Sequence, residues 1–293
     1  MVSAIPLFEY KEVNKMNYCV DFCKDFKYIN DVDEITITFN RKDTTLVDFL
    51  LEHQTQRINI WIKDAEDFLE NKDLEKFKAI QEKYPDLIFY FKLPDPDRSN
   101  QRDSIKKLHK LIEEETSFPY FFDTFVNNWD TLYGYLHKGV SDMYITESLG
   151  FELNKVAKVL HDAGIRIRTF PNVCQTACKE IPSLKTFFIR PEDVIYYEDY
   201  VDTLEFFGYK NSIETVYKVY AIDKKWFGQL KELILGFNED FDSRYIIPRF
   251  AEKRIRCGKE CLKGGYCRIC ERVKDLSKVL EKNSLLIKTL EDN

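Results

Sequence analysis

The chain lacks the marks of several common enzyme classes. No Gly-x-Gly-x-x-Gly follows its first candidate strand, and no Gly-rich loop is built to cradle a phosphate, which argues against a dinucleotide or P-loop enzyme. There is no His-Glu-x-x-His, and no Ser/His/Asp set suggests itself. Histidine is scarce, with four in the chain; His109 and His161 fall inside helical patterns and His137 near a helix end, positions that suit solvation or capping. A charged, apolar, small-residue start of the secretory kind is missing, and no apolar run approaches membrane length, so the cytoplasm is the expected setting and a membrane is not an expected partner. Nor is there an excess of positive charge. A formal net charge of −6 argues against a general nucleic-acid coat protein.

What is present describes a soluble globular chain. Its 293 residues suffice for one large domain or two modest ones, and 44% hydrophobic with 15% aromatic content can fill a sizeable core. Eight cysteines in a cytosolic-looking chain point to free thiols or metal ligands in place of disulfides.

A regular rhythm organises the middle of the chain. After a lead-in over residues 1–30, with a short helix expected over Asn14–Phe26 that sets Cys19 and Cys23 on one face, apolar or β-branched runs recur at 35–39, 58–62, 87–91, 119–122, 142–146, 165–170, 186–189 and 215–222. Helical patterns lie between and after them, at 44–52, 74–83, 104–115, 129–137, 153–162, 194–207 and 226–237. Within the 194–207 pattern, 201–207 is also β-prone. Such spacing leaves room for one crossover helix per strand, and near-continuous apolar runs suit strands covered on both faces. Eight strands alternating with helices over residues 31–247 predict a (β/α)8 TIM-type barrel, an α/β fold, with an open doubly wound sheet as the alternative.

On a barrel, residues just past each strand share one mouth, where binding and catalytic groups gather. Asp123 and Glu147 each end an apolar strand directly and are candidates for acid, base or cation-holding roles; Arg190 and Asp193, at the turn forced by Pro191, join them as catalytic candidates. Arg41, Lys92 and Asn172 are candidate substrate-binding groups. Cys174 and Cys178 follow the sixth strand, and with no histidine nearby in sequence to activate a thiolate they suit ligands better than nucleophiles.

From Pro248 the composition changes. Residues 249–282 hold eleven Lys/Arg against five Asp/Glu, and Cys257, Cys261, Cys267 and Cys270 are spaced C-x3-C-x5-C-x2-C around Gly264-Gly265. Four thiols within fourteen residues predict a tetrathiolate metal site, for zinc or a [4Fe–4S] cluster, in a short cysteine-rich appendage over 248–293 that ends in an amphipathic helix carrying Val273, Leu276, Val279, Leu280, Leu286, Ile287 and Leu290.

The stretch Phe187-Phe188-Ile189-Arg190-Pro191-Glu192-Asp193-Val194, with Tyr200 to Gly208 and Tyr217-Lys218-Val219-Tyr220 after it, resembles the collagenase-like peptidase family of unknown catalytic type, over roughly Ile165–Ile222. The resemblance implies a barrel, and one of two activities: peptide hydrolysis, or oxygen-independent hydroxylation of RNA bases or quinone precursors with a cysteine-bound iron–sulfur cluster. It also implies a cysteine-bearing loop at Cys174 and, more weakly, Cys178. Glu205-Phe206-Phe207-Gly208 stands where the family carries Lys-Ile-Glu-Gly-Arg, and the tail cysteines lie outside the match. The expected function is therefore a barrel enzyme with a cysteine-bound metal centre acting on RNA, peptide or protein. The alternative is a non-catalytic binding or scaffold protein with a structural zinc site.

Overall fold

In a computed structural model the described residues are 16–21, 26–42, 46–53, 56–87, 89–126, 128–145, 152–173, 188–208, 211–237, 239–246, 250–255 and 269–291. The chain divides into two compact units, one formed chiefly by Asn17–Tyr144 with Leu160–Arg168, the other by Ile145–Val159 and Thr169–Asn293.

The first unit contains the strands β1 (Asn17–Asp21), β2 (Glu34–Thr38), β3 (Arg57–Trp61), β4 (Phe89–Pro94), β5 (Tyr120–Asp123), β6 (Phe125–Val126), β7 (Asp142–Ile145) and β8 (Arg166–Thr169). Its helices are α1 (Leu46–Glu52), α2 (Ala65–Glu70), α3 (Asp73–Lys83), α4 (Arg102–Glu115) and α5 (Trp129–Leu136); α6 (Leu153–Asp162) precedes β8. Strands β1 to β5 pair in sequence order, all parallel, and β8, β7 and β6 form a second run in which β7 and β8 are parallel.

The runs are curled, and side chains prove it. At least β2, β1 and β8 separate β3 from β7, which in a flat sheet means four strand spacings, about 19 Å. Yet Arg57 Nη2 lies 2.5 Å from Asp142 Oδ2. At the other edge the Ser141 amide donates to the Tyr120 carbonyl at 2.9 Å, joining the approach to β7 with the start of β5. The parallel sheet is thus almost closed, with an inside and an outside.

The outside is aromatic. Phe39, Phe68, Phe77, Phe89, Phe91 and Phe118 make edge and tilted ring contacts with centroids 4.8–6.2 Å apart, sealing strands against α2 and α3. Phe39 is half-buried, and each of the other five rings, all buried, contributes about 1.5–3 kcal/mol from area alone. Helix ends are fastened locally: Asp64 caps α2 by accepting from the Asp67 amide, and Asn128 caps α5 by accepting from the Thr131 amide.

The expected strands at 35–39, 58–62, 87–91, 119–122, 142–146 and 165–170 match β2, β3, β4, β5, β7 and β8 within a few residues. Three expectations fail. The helix over 14–26 is a strand over its described middle, because Cys19 and Val20 pair in register with Glu34 and Ile35. The strand at 215–222 is helical: Ser212 accepts from the Thr215 amide as N-cap of α7 (Ile213–Tyr217), which runs into a π-helical turn over Lys218–Asp223, and Val216, Tyr217, Val219 and Tyr220 bury one face. Its β-branched and aromatic content masked a helical period. The helix at 194–207 is a 3-10 turn, Pro191–Tyr196, followed by the strand β9 (Thr203–Glu205), in keeping with the β-prone reading of 201–207. Of the strand at 186–189, Phe188 and Ile189 belong to no strand, and the rest lies outside the described residues. The helix at 226–237 contracts to one turn, α8 (Leu230–Leu233).

The second unit also holds a 3-10 turn (Ser243–Tyr245), α9 (Phe250–Ile255) and the 23-residue α10 (Ile269–Glu291). Phe188 packs edge-on to Phe237, and the Tyr220 hydroxyl donates to the Ile189 carbonyl at 2.7 Å. No helix of the described residues is long and apolar enough to cross a membrane.

Candidate active site

Inside the first unit the strand residues alternate, apolar outward and polar inward, so the barrel-like interior is lined by charge and aromatic rings. At the N-terminal ends of the strands sits a cluster that sequence reasoning missed. Glu34 opens β2, Arg57 opens β3, Asp142 opens β7 and Arg166 opens β8, with Arg168 two residues further on. Glu34 lies 2.6 Å from Arg168 and 2.7 Å from Arg166; Asp142 lies 2.5 Å from Arg57 and 3.4 Å from Arg168. Asn59 donates to Glu34 at 3.4 Å, and the Cys19 thiol approaches the Thr36 hydroxyl at 3.4 Å. Burial alone would raise the Glu34 carboxyl, but Arg168, Arg57 and Arg166 hold it well below the usual range; Asp142 is lowered against its burial by Arg57, Arg166 and Arg168. Both carboxylates are thereby kept ionised and saturated with donors. The signal was present as period-two alternation in Glu34-Ile-Thr-Ile-Thr, Arg57-Ile-Asn-Ile and Arg166-Ile-Arg.

Toward the C-terminal ends the lining changes. The Arg57 guanidinium stacks 3.5 Å from the Tyr90 ring centroid, and Arg168 lies 5.1 Å from Phe121 and 5.6 Å from Tyr144. Above them is Lys92, fourth residue of β4, whose ammonium lies 4.6 Å from the Trp61 centroid and 5.0 Å from Tyr144. Asp123, the last residue of β5, reaches it at 3.3 Å. The Lys92 side chain is 3% exposed and that of Asp123 28%, so the carboxylate is the solvent-facing member of the pair. Lys63 covers the same indole at 4.0 Å, and Phe125 packs on Tyr144 at 5.5 Å. An ammonium held against aromatic faces and beside a carboxylate is a fixed positive charge, suited to orienting an anionic or carbonyl oxygen. Asp123 is placed to take or return a proton, or to orient water.

The structure therefore brings two pairs of expected site residues together, Lys92 with Asp123 in the first unit and Arg190 with Asp193 in the second. The second pair, with others, is committed to local architecture. Arg41 is clamped between Asp73, at 2.8 Å, and Asp67, at 2.7 Å, and those hydrogen bonds raise its pKa further while Asp73 is lowered. In the second unit Asn172 mimics a strand edge: its Oδ1 accepts from the Phe207 amide at 3.1 Å and its Nδ2 donates to the Phe207 carbonyl at 2.5 Å. Arg190 is buried, forked onto Asp193 at 2.5 and 2.7 Å, and donates to the Ser243 carbonyl at 3.0 Å and Glu192 at 3.1 Å. Burial nonetheless pushes the Asp193 carboxyl up, outweighing Arg190. Glu147, Cys174, Cys178, Cys257, Cys261 and Cys267 lie outside the described residues; Cys270 is half-buried in the first turn of α10. Among the described residues no group of three or more His, Cys, Asp or Glu is placed to hold a metal. His109, expected to be solvated or capping, instead meets the Tyr120 hydroxyl at 2.6 Å on the outer face, where burial lowers its pKa.

No protein-family model matches the chain, and no curated protein matches it. Among solved structures one described as the U32 peptidase Mk0906 is similar to 71% of this chain and 98% of its own, with 9% sequence identity and a TM-score of 0.41. A superposition at that level carries no argument about chemistry.

Proposed function

We propose that this chain is an enzyme on a (β/α)8 TIM-type barrel, with its reaction centre at the C-terminal ends of the strands of the first unit. The observation that carries the reading is the Lys92–Asp123 pair: a desolvated ammonium and a half-open carboxylate 3.3 Å apart, walled by Trp61 and Tyr144. Lys92 supplies a fixed charge for a substrate oxygen and Asp123 handles the proton, a division that suits hydrolysis of a peptide or modification of an RNA or protein. Cys257, Cys261, Cys267 and Cys270 are proposed as ligands of a zinc ion or [4Fe–4S] cluster, four thiolates being the donor set both accept, and Cys174 and Cys178 are proposed as a second site. A zinc there would serve as a structural clip, a cluster as an electron relay suited to a reducing, cytoplasmic compartment. Glu147 is proposed to join Asp123 as a second carboxylate.

A second reading, a binding or scaffold protein that has lost its chemistry, draws support from Arg41, Arg190, Asp193 and Asn172, all engaged in contacts that hold turns together. Turnover separates the two. Anaerobically purified chain is incubated with a pool of fluorogenic peptides and with mixed RNA analysed by nucleoside mass, alongside Asp123→Asn and Lys92→Gln chains of unchanged circular dichroism. The enzyme reading expects product with the parent chain and a loss of about 100-fold or more in either variant. Turnover indifferent to both substitutions would remove Lys92 and Asp123 from the reaction. Iron and zinc analysis with an absorption spectrum, on the same preparation, decides the metal.

A further inference from the structure

The outer wall of the first unit carries a cavity that the proposed site does not use. It holds about 330 Å³ between α4, the turn after β4 and the end of α5, and its floor is apolar, made by the buried Pro96, Ile105 and Phe122. That volume suits a small molecule. Phe122 faces outward, its ring 5.4 Å from His109 and 5.6 Å from Tyr135, whereas Asp123, the next residue of β5, meets Lys92 in the interior. Adjacent residues of one strand thus serve opposite faces of the sheet.

The rim of the cavity is basic. Arg102 and Lys106 of α4 and Lys138 beyond α5 stand against one lining carboxylate, Asp97, which pairs with Arg102 at 3.1 Å. Among the described residues neither Lys106 nor Lys138 forms an ion pair with a carboxylate; the Lys138 ammonium lies 4.0 Å from the Tyr135 ring centroid and 5.5 Å from that of Phe122. Glu113, one turn along α4 from His109, is held by the Tyr120 hydroxyl at 2.8 Å and by His109 at 3.4 Å. Helix energetics do not account for the basic rim. Acids near the start of a helix and bases near its end complement the backbone dipole. Helix α4 has the reverse: Arg102, Lys106 and Lys107 lie in its first two turns with Asp103 alone among them, and Glu113-Glu114-Glu115 ends it. The helix gains nothing from that order, but an anion in the cavity would meet two lysines, a guanidinium and the positive end of α4 together. We propose that this cavity binds a small amphipathic anion, its apolar or aromatic body seated on Ile105 and Phe122 and its carboxylate or phosphate head held by Lys106 and Lys138.

Isothermal titration of the full-length chain with phenyl phosphate and with benzoate, and with benzamide as the neutral analogue, tests this; the two anions show which head the cavity prefers. At least one anion should bind about 10-fold or more tighter than benzamide, and a Lys106→Gln/Lys138→Gln chain of unchanged circular dichroism should lose that preference. Lys107→Gln, at an exposed position outside the cavity lining, should keep it. The bound anion should also shield Lys106 and Lys138 from acetylation, read by peptide mass after digestion, and leave Lys107 and Lys110 as reactive as before. Failure of both anions to bind at millimolar concentration overturns the inference, as does benzamide binding equally well. So does an anion whose affinity falls with Lys92→Gln and not with the double substitution, which would put it at the strand mouth.

Discussion

The buried charge cluster makes a quantitative claim about Glu34. Its carboxylate is 1% exposed and within 2.6–3.6 Å of three guanidiniums, and Asp142 is the other carboxylate of that cluster. Glu34→Gln preserves shape and removes charge, leaving Asp142 facing Arg57, Arg166 and Arg168. Breaking a buried ion pair from one side costs about 3–5 kcal/mol, because the surviving charges stay desolvated. That is a large part of the 5–15 kcal/mol by which domains of this kind are stable. Urea unfolding followed by tryptophan fluorescence is a direct assay, since Trp61 and Trp129 both belong to the first unit. The midpoint should fall with little change in slope. Replacing Arg168 by Met as well should lose less than the sum of the single changes, by about 0.5–3 kcal/mol, since the pair is in contact. The pH dependence has a definite sign. A carboxyl whose folded pKa lies below its unfolded value contributes stability that is complete above about pH 4.5 and is lost as pH falls toward the folded pKa. Wild type should therefore hold its stability down to about pH 4.5 and lose it on the acid side, more steeply than Glu34→Gln. A Glu34→Gln chain within about 1 kcal/mol of wild type at pH 7, with an unaltered acid limb, would refute the account of the cluster.

Three further outcomes follow from single contacts. Asn172→Leu removes both hydrogen bonds to the Phe207 backbone and leaves two polar groups stranded, for a loss of about 2–4 kcal/mol in thermal or urea unfolding. Tyr220→Phe deletes one buried bond, to the Ile189 carbonyl, and should cost about 1 kcal/mol by the same measurement. Gly139 holds φ +64 with the Tyr120 hydroxyl 3.5 Å from where a Cβ would stand, so Gly139→Ala should lower the unfolding midpoint by an equivalent of about 1 kcal/mol.

The strands of the first unit were legible because apolar side chains must cover the outer face, and Ile35, Ile37, Ile58, Ile60, Phe89 and Phe91 do so wherever the strand is paired. β1 was not. Asn17-Tyr-Cys-Val-Asp is only five residues with polar ends, and it becomes a strand because β2 offers it a partner, a tertiary fact absent from local sequence. The opposite error at 213–223 has a local cause. Val216, Val219 and Tyr220 are good strand formers, but the Ser212 cap and their three-and-four spacing favour the helix, and residue type was weighed above spacing.

For the site, charge at a strand end says only that a residue lies near a mouth; what else reaches it decides its use. Asp123 and Arg41 look alike in sequence, each a charged residue beyond an apolar run. Asp123 meets a single ammonium and keeps an open side, whereas Arg41 meets two aspartates from α3 and the α2 turn, Asp73 and Asp67, and is spent on holding those helices together. Glu34 and Arg168 were invisible for the converse reason. They begin or sit within strands, at the end where barrel folds place stability and not chemistry, and a search confined to strand C-termini passes over them. The polar interior they create has a corollary for the proposed site: Arg57, Arg166 and Arg168 are answered by Glu34 and Asp142, so the field above the floor is set by the Lys92 ammonium packed against Trp61 and Tyr144. A ligand entering above Lys92 and Asp123 meets that field. The site should accordingly favour substrates that develop negative charge, and replacing Lys92 with Gln should weaken binding of an anionic ligand more than that of its neutral analogue, whereas equal effects on both would mean that packing, not charge, is what Lys92 contributes.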